Sequence, residues 1–264
     1  MSAQAYWILR FEQRLLTVAA DPAGSIFPLG MADDFGGLAN VVTVGRLFGR
    51  PCLAADLELP PGLPALALTP LRAIFQLAGD EAFALAGRAT QLLDWQLNHR
   101  YCGRCGTPTE VRTGEPAMQC PRCHLVAYPR ISPAVMVLVR DGDRLLLARS
   151  PHFKPGVFSA LAGFVEPGET LEECAAREVY EEVGTRIARL RYFHSQPWPF
   201  PNSLMVAFLA DHAGGTVTPD HDEIEAADWF ELDHLPLLPE PISIARRLID
   251  AACREISGRG SASV

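Results

Sequence analysis

The sequence predicts an α+β fold: a mixed sheet layered with helices in the C-terminal half, a short cysteine module before it, and a smaller α/β segment at the N-terminus. Three observations predict it. Apolar strand-like runs alternate with helical patterns after Ile131, four cysteines crowd the stretch from Cys102 to Cys123, and an acidic helical segment ends on Gly184.

Residues 1–98 form the first segment. Trp7-Ile8-Leu9 and Val41-Val42-Thr43-Val44 read as strands between Gly and Pro punctuation. The proline-rich stretch 59–64 reads as a loop. A helix is predicted over 80–99, with Phe83, Ala84, Gly87, Leu92, Trp95 and Gln96 in its pattern. Nothing in this segment announces chemistry. Residues 99–130 form the cysteine module and 131–264 the third segment. There, strands at 135–139 and 145–148 flank the hairpin signal Asp141-Gly142-Asp143. A helix over 171–183 is closed by Gly184, a residue favoured for a left-handed cap. Strands follow at 189–193, 204–209 and 228–230, then a terminal helix over 242–256. No internal repeat is visible in the sequence.

Composition narrows the function. An apolar share of 48% with 20% charged residues suits a chain with a real core. The net charge of −8 gives no general attraction to nucleic acid. No apolar run approaches the roughly 20 residues of a membrane helix. The first ten residues lack a signal layout and Ser-Ala-Ser-Val is not a peroxisomal address, so a cytoplasmic protein is expected. Lys154 is the only lysine among the basic residues. Cys52, Cys174 and Cys253 stand alone and are expected to behave as small apolar residues.

Cys102-Gly-Arg-Cys105 and Cys120-Pro-Arg-Cys123 are two turns that each aim a pair of thiolates at one point. Four soft ligands in a tetrahedron suit zinc and leave no open position for water, so a structural Zn²⁺ is expected, one per chain. The alternative is a pair of redox dithiols, which do not come in matched pairs with Gly or Pro inside tight turns. So short a module cannot build its own core, and the metal would supply its folding energy. The module also carries Arg100, Arg104, Arg112, Arg122 and Arg130 against Glu110 and Glu115. These arginines are either a solvated surface or a local cationic patch for a phosphate backbone.

On the predicted helix, Glu178, Glu181 and Glu182 fall at i, i+3 and i+4 and share one face. Three crowded anions are either a solvated face or a site that a hard divalent cation, Mg²⁺ or Mn²⁺, neutralises. Arg177 is expected to point away from them and pin the loop carrying Glu166 and Glu169, with Gly163 and Gly168 allowing that loop its turn. The spacing Gly163-x5-Glu169-x7-Arg177-Glu178-x2-Glu181-Glu182-x-Gly184 resembles the signature box of the Nudix hydrolase family at every fixed position. Thr185 stands where that family has an aliphatic residue, a departure at a packing position. The resemblance implies a mixed α/β sandwich and a loop-helix-loop metal site. In it, Glu178 and Glu182 would be metal ligands, the Ala162 carbonyl a further one, and Glu181 a ligand or base. Bound cations would offset charge developing on a pyrophosphate and lower the pKa of an attacking water.

Downstream, Ser195-Gln196-Pro197-Trp198-Pro199-Phe200-Pro201-Asn202-Ser203 alternates prolines with aromatics. The prolines stiffen the chain, and on composition alone the stretch reads as a rigid structural loop feeding the strand at Leu204. The other reading is that its fixed rings are surfaces on which flat bases stack. The array is similar to the one that marks the NADH pyrophosphatase branch of the Nudix family, and that branch also carries a four-cysteine ribbon ahead of its hydrolase domain. Matched position by position, the resemblance implies that Gln196, Pro197, Trp198, Pro199, Phe200, Pro201, Asn202 and Ser203 line the dinucleotide site. It implies that Tyr128 and Phe164 are an aromatic pair near the nicotinamide half, and that Glu223 is a remote fourth metal ligand, with Glu225 its competitor. Arg72 and Ala245 match substrate-contacting positions. The branch further implies a homodimer acting on NAD(H), and on NAD-capped RNA 5′ ends. A Nudix hydrolase for another dinucleotide such as ADP-ribose, and a catalytically dead zinc-ribbon binding module, are the alternatives. A complete set of mutually repelling glutamates argues against the second.

Overall fold

The computed structural model describes residues 4–58 and 67–260, so the loop expected at 59–64 lies outside the described residues. The chain divides into two units: 1–130 with 199–202, and 131–198 with 203–264.

In the second unit the hairpin at Asp141-Gly142-Asp143 joins β10 (Ser132–Asp141) to β11 (Arg144–Arg149), numbering strands along the whole chain. β12 (Leu161–Phe164), β13 (Ile187–Trp198), β14 (Ser203–His212) and β15 (Ala226–Phe230) complete a mixed sheet of order β13-β14-β10-β11-β15, with β12 also on β10. Only the β10–β14 pair is parallel. Helix α2 (Leu171–Val183) covers one face and α3 (Ile244–Gly260) the other. Val135, Val137 and Val139 of β10 therefore pack with Cys174, Ala175, Val179 and Val183, while Met136 and Leu138 pack with Ala245, Leu248 and Ile249. A strand buried on both faces reads as an unbroken apolar run, which is why β10 lacks polar alternation. Each buried Val, Leu, Ile or Met among them contributes about 1.5–3 kcal/mol by leaving water.

The first unit holds β1 (Ala5–Phe11), β2 (Arg14–Thr17), β3 (Leu29–Gly30), β4 (Leu38–Leu47), β5 (Arg50–Leu57) and β6 (Ala67–Pro70) in the order β4-β5-β1-β2-β6, with β3 on β1. Helix α1 (Leu71–Asn98) follows and breaks at Gly79, whose φ of 76° is open to glycine. The helix predicted from residue 80 is its second limb; the first limb, before the break, was not anticipated. The cysteine module adds the ribbon β7 (Glu110–Val111), β8 (Met118–Gln119) and β9 (Val126–Ala127), and Met118 packs against Leu92 and Trp95 of α1.

The two sheets share one topology. Strands β1 to β6 correspond in order, pairing and direction to β10 to β15, and α1 corresponds to α3. The absence of an internal repeat in the sequence reading is therefore corrected. Aligning the hairpins, where Arg10 faces Leu15 and Arg140 faces Leu145, superposes Arg10-Phe-Glu-Gln-Arg14-Leu-Leu on Arg140-Asp-Gly-Asp-Arg144-Leu-Leu. The same alignment places Gly30 opposite Ala5 where Gly163 lies opposite Val135. What differs is the segment between the third and fourth strands. The second unit has α2 there, while the first has a single 3₁₀ turn, Ala32–Asp34. Trp7 and Phe35, with rings 5.8 Å apart, fill the face that α2 covers in the second unit.

Among the described residues no helix is long and apolar enough to cross a membrane. Cys52 and Cys174 are fully buried and Cys253 is partly so, as expected of small apolar side chains.

Candidate active site

Helix α2 begins at Thr170, whose hydroxyl accepts from the Glu173 amide at 3.2 Å while the Glu173 carboxylate accepts from the Thr170 amide at 2.8 Å. This reciprocal cap satisfies two amides that a helix start leaves open. At the other end Gly184 adopts φ 70°, ψ 9°, the left-handed cap foreseen from its identity. Thr185 is fully buried, and its hydroxyl is satisfied by the Gly214 carbonyl at 3.0 Å. The departure from an aliphatic residue at this position is thus absorbed by one hydrogen bond.

Of the three clustered glutamates, Glu182 is buried with 6% exposure, and its Oε2 has no hydrogen-bond partner. Burial, reinforced by the nearby carboxylates of Glu178, Glu223 and Asp220, pushes its pKa up to about 8 against a hydrogen bond from the Ala162 amide. Glu178 is also raised, chiefly by burial. Its carboxylate lies over Gly163, where an added Cβ would come within 1.8 Å of Glu178 Cδ. A larger residue at 163 would have to move that carboxylate aside.

Glu181 is the outlier, with its side chain 58% exposed. Arg177 Nη1 donates to Glu178 and to Glu181, each at 2.9 Å. Arg177 Nε and Nη2 grip both oxygens of Glu169 at 2.5 and 2.9 Å, and Nη2 also donates to the Phe164 carbonyl at 3.0 Å. Held this way, Glu169 titrates at about 2. Arg177 does pin the loop, as expected, but it does not point away from the cluster. It bridges the loop to two of the three helix carboxylates, because five donors in a planar fork reach several acceptors at once.

Asp220, which the sequence reading missed, organises the remaining wall. Its Oδ1 accepts from the amides of Asp222, Glu223 and Ile224 at 3.2, 3.2 and 2.9 Å. An aspartate closing its own loop is a common turn device, and Asp220-His-Asp before Glu223 carried that signal. Glu223 is exposed and acts electrostatically on both Glu178 and Glu182. Glu225 instead pairs with Arg149 at 3.0 Å, which commits it elsewhere. An orphaned buried oxygen, a glycine cradle under a second carboxylate and a third acid nearby form a hard-oxygen donor set that fits a divalent cation.

The array divides between the units. Trp198 ends β13 opposite Ser203, which is buried. Gln196 has both ends of its amide engaged: it donates to the Ile242 carbonyl at 2.8 Å and accepts from the Ile244 amide at 2.7 Å. It thereby sets the start of α3, where Ala245 is buried. Pro197 is exposed. Pro199, Phe200, Pro201 and Asn202 belong to the first unit. Pro199 fills the notch left by Gly87, Phe200 stacks on Phe83 with rings 6.4 Å apart, and the Arg72 guanidinium lies 4.0 Å over the Phe200 ring. Phe164 and Tyr128 are both more than half exposed, each on its own unit, and the Tyr128 hydroxyl donates to Glu115 at 3.3 Å.

The four cysteine sulfurs lie within 4.8 Å of one another, with separations such as 3.5 Å for Cys102–Cys123 and Cys105–Cys120. A tetrahedron of sulfurs about 2.3 Å from zinc has edges of about 3.8 Å. The amides of Arg104 and Cys123 donate to the sulfurs of Cys102 and Cys120 at 3.4 Å. The set fits zinc. Among the described residues the glutamates of α2 do not converge as tightly, and Arg177 holds two of them, Glu178 and Glu181.

Residues 130–252 match the family described as NUDIX domain, 97–128 the NADH pyrophosphatase zinc ribbon domain, and 4–95 the NADH pyrophosphatase-like rudimentary NUDIX domain. The last agrees with the shared topology and missing helix of the first unit. The chain is 54% identical over 219 residues to a Chromobacterium violaceum protein named NAD-capped RNA hydrolase NudC, covering 83% of this chain and 78% of that one. Proteins of the same name from Stutzerimonas stutzeri and Deinococcus radiodurans are 50% and 47% identical, covering 82% and 80% of this chain and 78% and 77% of theirs.

Proposed function

The chain belongs to the Nudix hydrolase family, in its NADH pyrophosphatase branch, and from that premise we propose that it hydrolyses the diphosphate bond of NAD(H) to NMN(H) and AMP and removes the same cap from RNA 5′ ends. The observation that carries the reading is Glu182: a buried carboxylate with an unpartnered oxygen, beside Glu178, is unfavourable in its charged form without a cation to share it. Glu178, Glu182 and Glu223, with the Ala162 carbonyl, would hold Mg²⁺ or Mn²⁺, which when bound lowers the pKa of an attacking water and offsets pyrophosphate charge. Glu181, 58% exposed and held by Arg177 at 2.9 Å, is the carboxylate that would act as general base towards an attacking water. Phe164 and Tyr128 present rings for stacking, Trp198 to Ser203 with Arg72 shape the dinucleotide site, and Gln196 positions the α3 start that carries Ala245. The enzyme acts as a homodimer with one zinc per subunit, and sedimentation gives the oligomeric state.

The test is product analysis on NADH, NAD⁺, ADP-ribose and NAD-capped RNA, each with Mg²⁺ and with Mn²⁺. NMN(H) and AMP from the dinucleotide, and 5′-monophosphorylated RNA from the capped transcript, are expected. Preferential cleavage of ADP-ribose would overturn the substrate assignment. Glu182→Gln is expected to abolish turnover with an unchanged circular dichroism spectrum, and full activity in it would overturn the metal site.

A further inference from the structure

We propose that the zinc ribbon is a docking surface for the ribose-phosphate backbone of single-stranded RNA, formed by the free arginines of its knuckles, Tyr101 and an adjacent polar groove. The inference rests on the capped-RNA reading above and assigns the RNA body, not the cap, to this surface.

Residues 99–130 carry five arginines against two glutamates, a net +3 within a chain of net −8. Charge of the opposite sign elsewhere repels a polyanion, so attraction is focused on this module. Arg112 is engaged with Glu115 at 2.7 Å. Arg100, Arg104, Arg122 and Arg130 are exposed, and no ion pair engages them among the described residues. Arg104 and Arg122 occupy the same place in the two knuckles, just before Cys105 and Cys123. Since the four sulfurs converge within 4.8 Å, both arginines stand on the two turns that meet at one centre.

Two further observations favour RNA. Tyr101, next to the first knuckle, is 67% exposed, and an exposed ring beside arginines is a stacking platform for an unpaired base. Beside the second knuckle a groove of about 350 Å³ is walled by Arg112, Thr113, Gln119 and His124, with Glu110 also on its rim. That volume is at the lower end of ligand pockets, about 300–1,000 Å³. Its wall offers the hydroxyl, amide and imidazole groups that reach sugars and phosphates without reading sequence.

The competing explanation is that Arg104 and Arg122 only offset the net negative charge of four thiolates on one zinc ion. The full-length double variant Arg104→Glu/Arg122→Glu and, separately, Tyr101→Ser separate the two. Each is compared with the unaltered chain for zinc content, NADH turnover, turnover of NAD-capped RNA, and affinity for the same RNA bearing only a 5′-monophosphate. The double variant is expected to bind plain RNA roughly tenfold or more weakly at low salt, with a salt slope smaller by about 1.4, the loss of two single-strand phosphate contacts. Its kcat/KM on capped RNA falls in parallel, while zinc content and NADH turnover stay unchanged. Tyr101→Ser is expected to weaken RNA binding without changing the salt slope. Unchanged affinity for plain RNA in both variants overturns the proposal, as does loss of zinc together with NADH turnover. An unaltered chain that turns over NADH, binds plain RNA through these residues and leaves capped RNA intact would overturn the capped-RNA reading alone.

Discussion

The Glu178 carboxylate occupies the space a side chain on Gly163 would need: a Cβ there would stand 1.8 Å from Glu178 Cδ and 2.0 Å from its nearer oxygen. A side chain at position 163 would therefore push the end of the Glu178 side chain out of the place it holds.

Gly163→Ala is expected to displace Glu178 and lower kcat on NADH by about a hundredfold, since a misplacement near 1 Å has that effect. Metal titration should weaken alongside. Wild-type kcat and Mg²⁺ dependence in this variant would refute the role given to Glu178.

Glu182 makes stability depend on pH. Its carboxyl titrates at about 8 folded, above its ordinary value, so the folded state holds its proton more tightly than the unfolded chain. Its contribution is complete below the unfolded pKa and is lost as pH rises through about 8. Without divalent cations, unfolding free energy should fall between roughly pH 4.5 and 8 with a slope of at most about 1.4 kcal/mol per pH unit from this group. Saturating Mg²⁺ should flatten that slope, and Glu182→Gln should remove it. Urea titrations across the range decide; an identical slope in wild type and Glu182→Gln counts against the assignment.

Arg177→Lys keeps the positive charge but loses the two-point grip on Glu169 and the reach to Glu181 and the Phe164 carbonyl. Supporting groups around a metal site commonly contribute 10–100-fold, so kcat is expected to drop by about tenfold with little change in melting temperature. A variant as fast as wild type would show that the loop is held by its other contacts.

Arg10 Nε donates to Asp56 at 2.6 Å and a second nitrogen reaches Asp94 of α1; Arg140 Nε donates to Asp211 at 2.6 Å and a second nitrogen reaches Glu255 of α3 at 3.2 Å. The two triads hold equivalent places in the repeated topology, tying the parallel strand pair to the closing helix. Each arginine keeps a second carboxylate when one is removed, so the variant loses one charge-assisted hydrogen bond. Asp56→Asn and Asp211→Asn are each expected to destabilise by about 2 kcal/mol in urea unfolding. A loss below about 0.5 kcal/mol in either is the size of a surface change and would rule out the clamp.

Cys105→Ser is expected to abolish zinc binding, measured by elemental analysis, and to leave the amides of 101–128 in fast exchange with solvent, because metal binding supplies the ribbon's folding energy. Full amide protection without zinc would show that packing of Met118 on α1 suffices.

The sequence by itself determined the chemistry and the class of fold around it. Gly163, Glu169, Arg177 and the three glutamates lie within one loop and helix, and the cysteines within two turns, so their spacing alone brings them together. The helix over 171–183, its glycine cap and the hairpin at Asp141-Gly142-Asp143 were legible for the same reason: caps and turns depend on near neighbours. Only the tertiary structure decided what depends on contacts between distant segments. It showed Arg177 bridging the cluster, Asp220 bracing the loop of Glu223, and Gln196 occupied with the start of α3. It also showed that residues 5–98 repeat the topology of the second unit without its acidic helix. Strand order and register survive exchange of one apolar side chain for another, so a repeat can persist in the sheet after little more than Arg10, Arg14, Leu15 and Gly30 marks it in the chain.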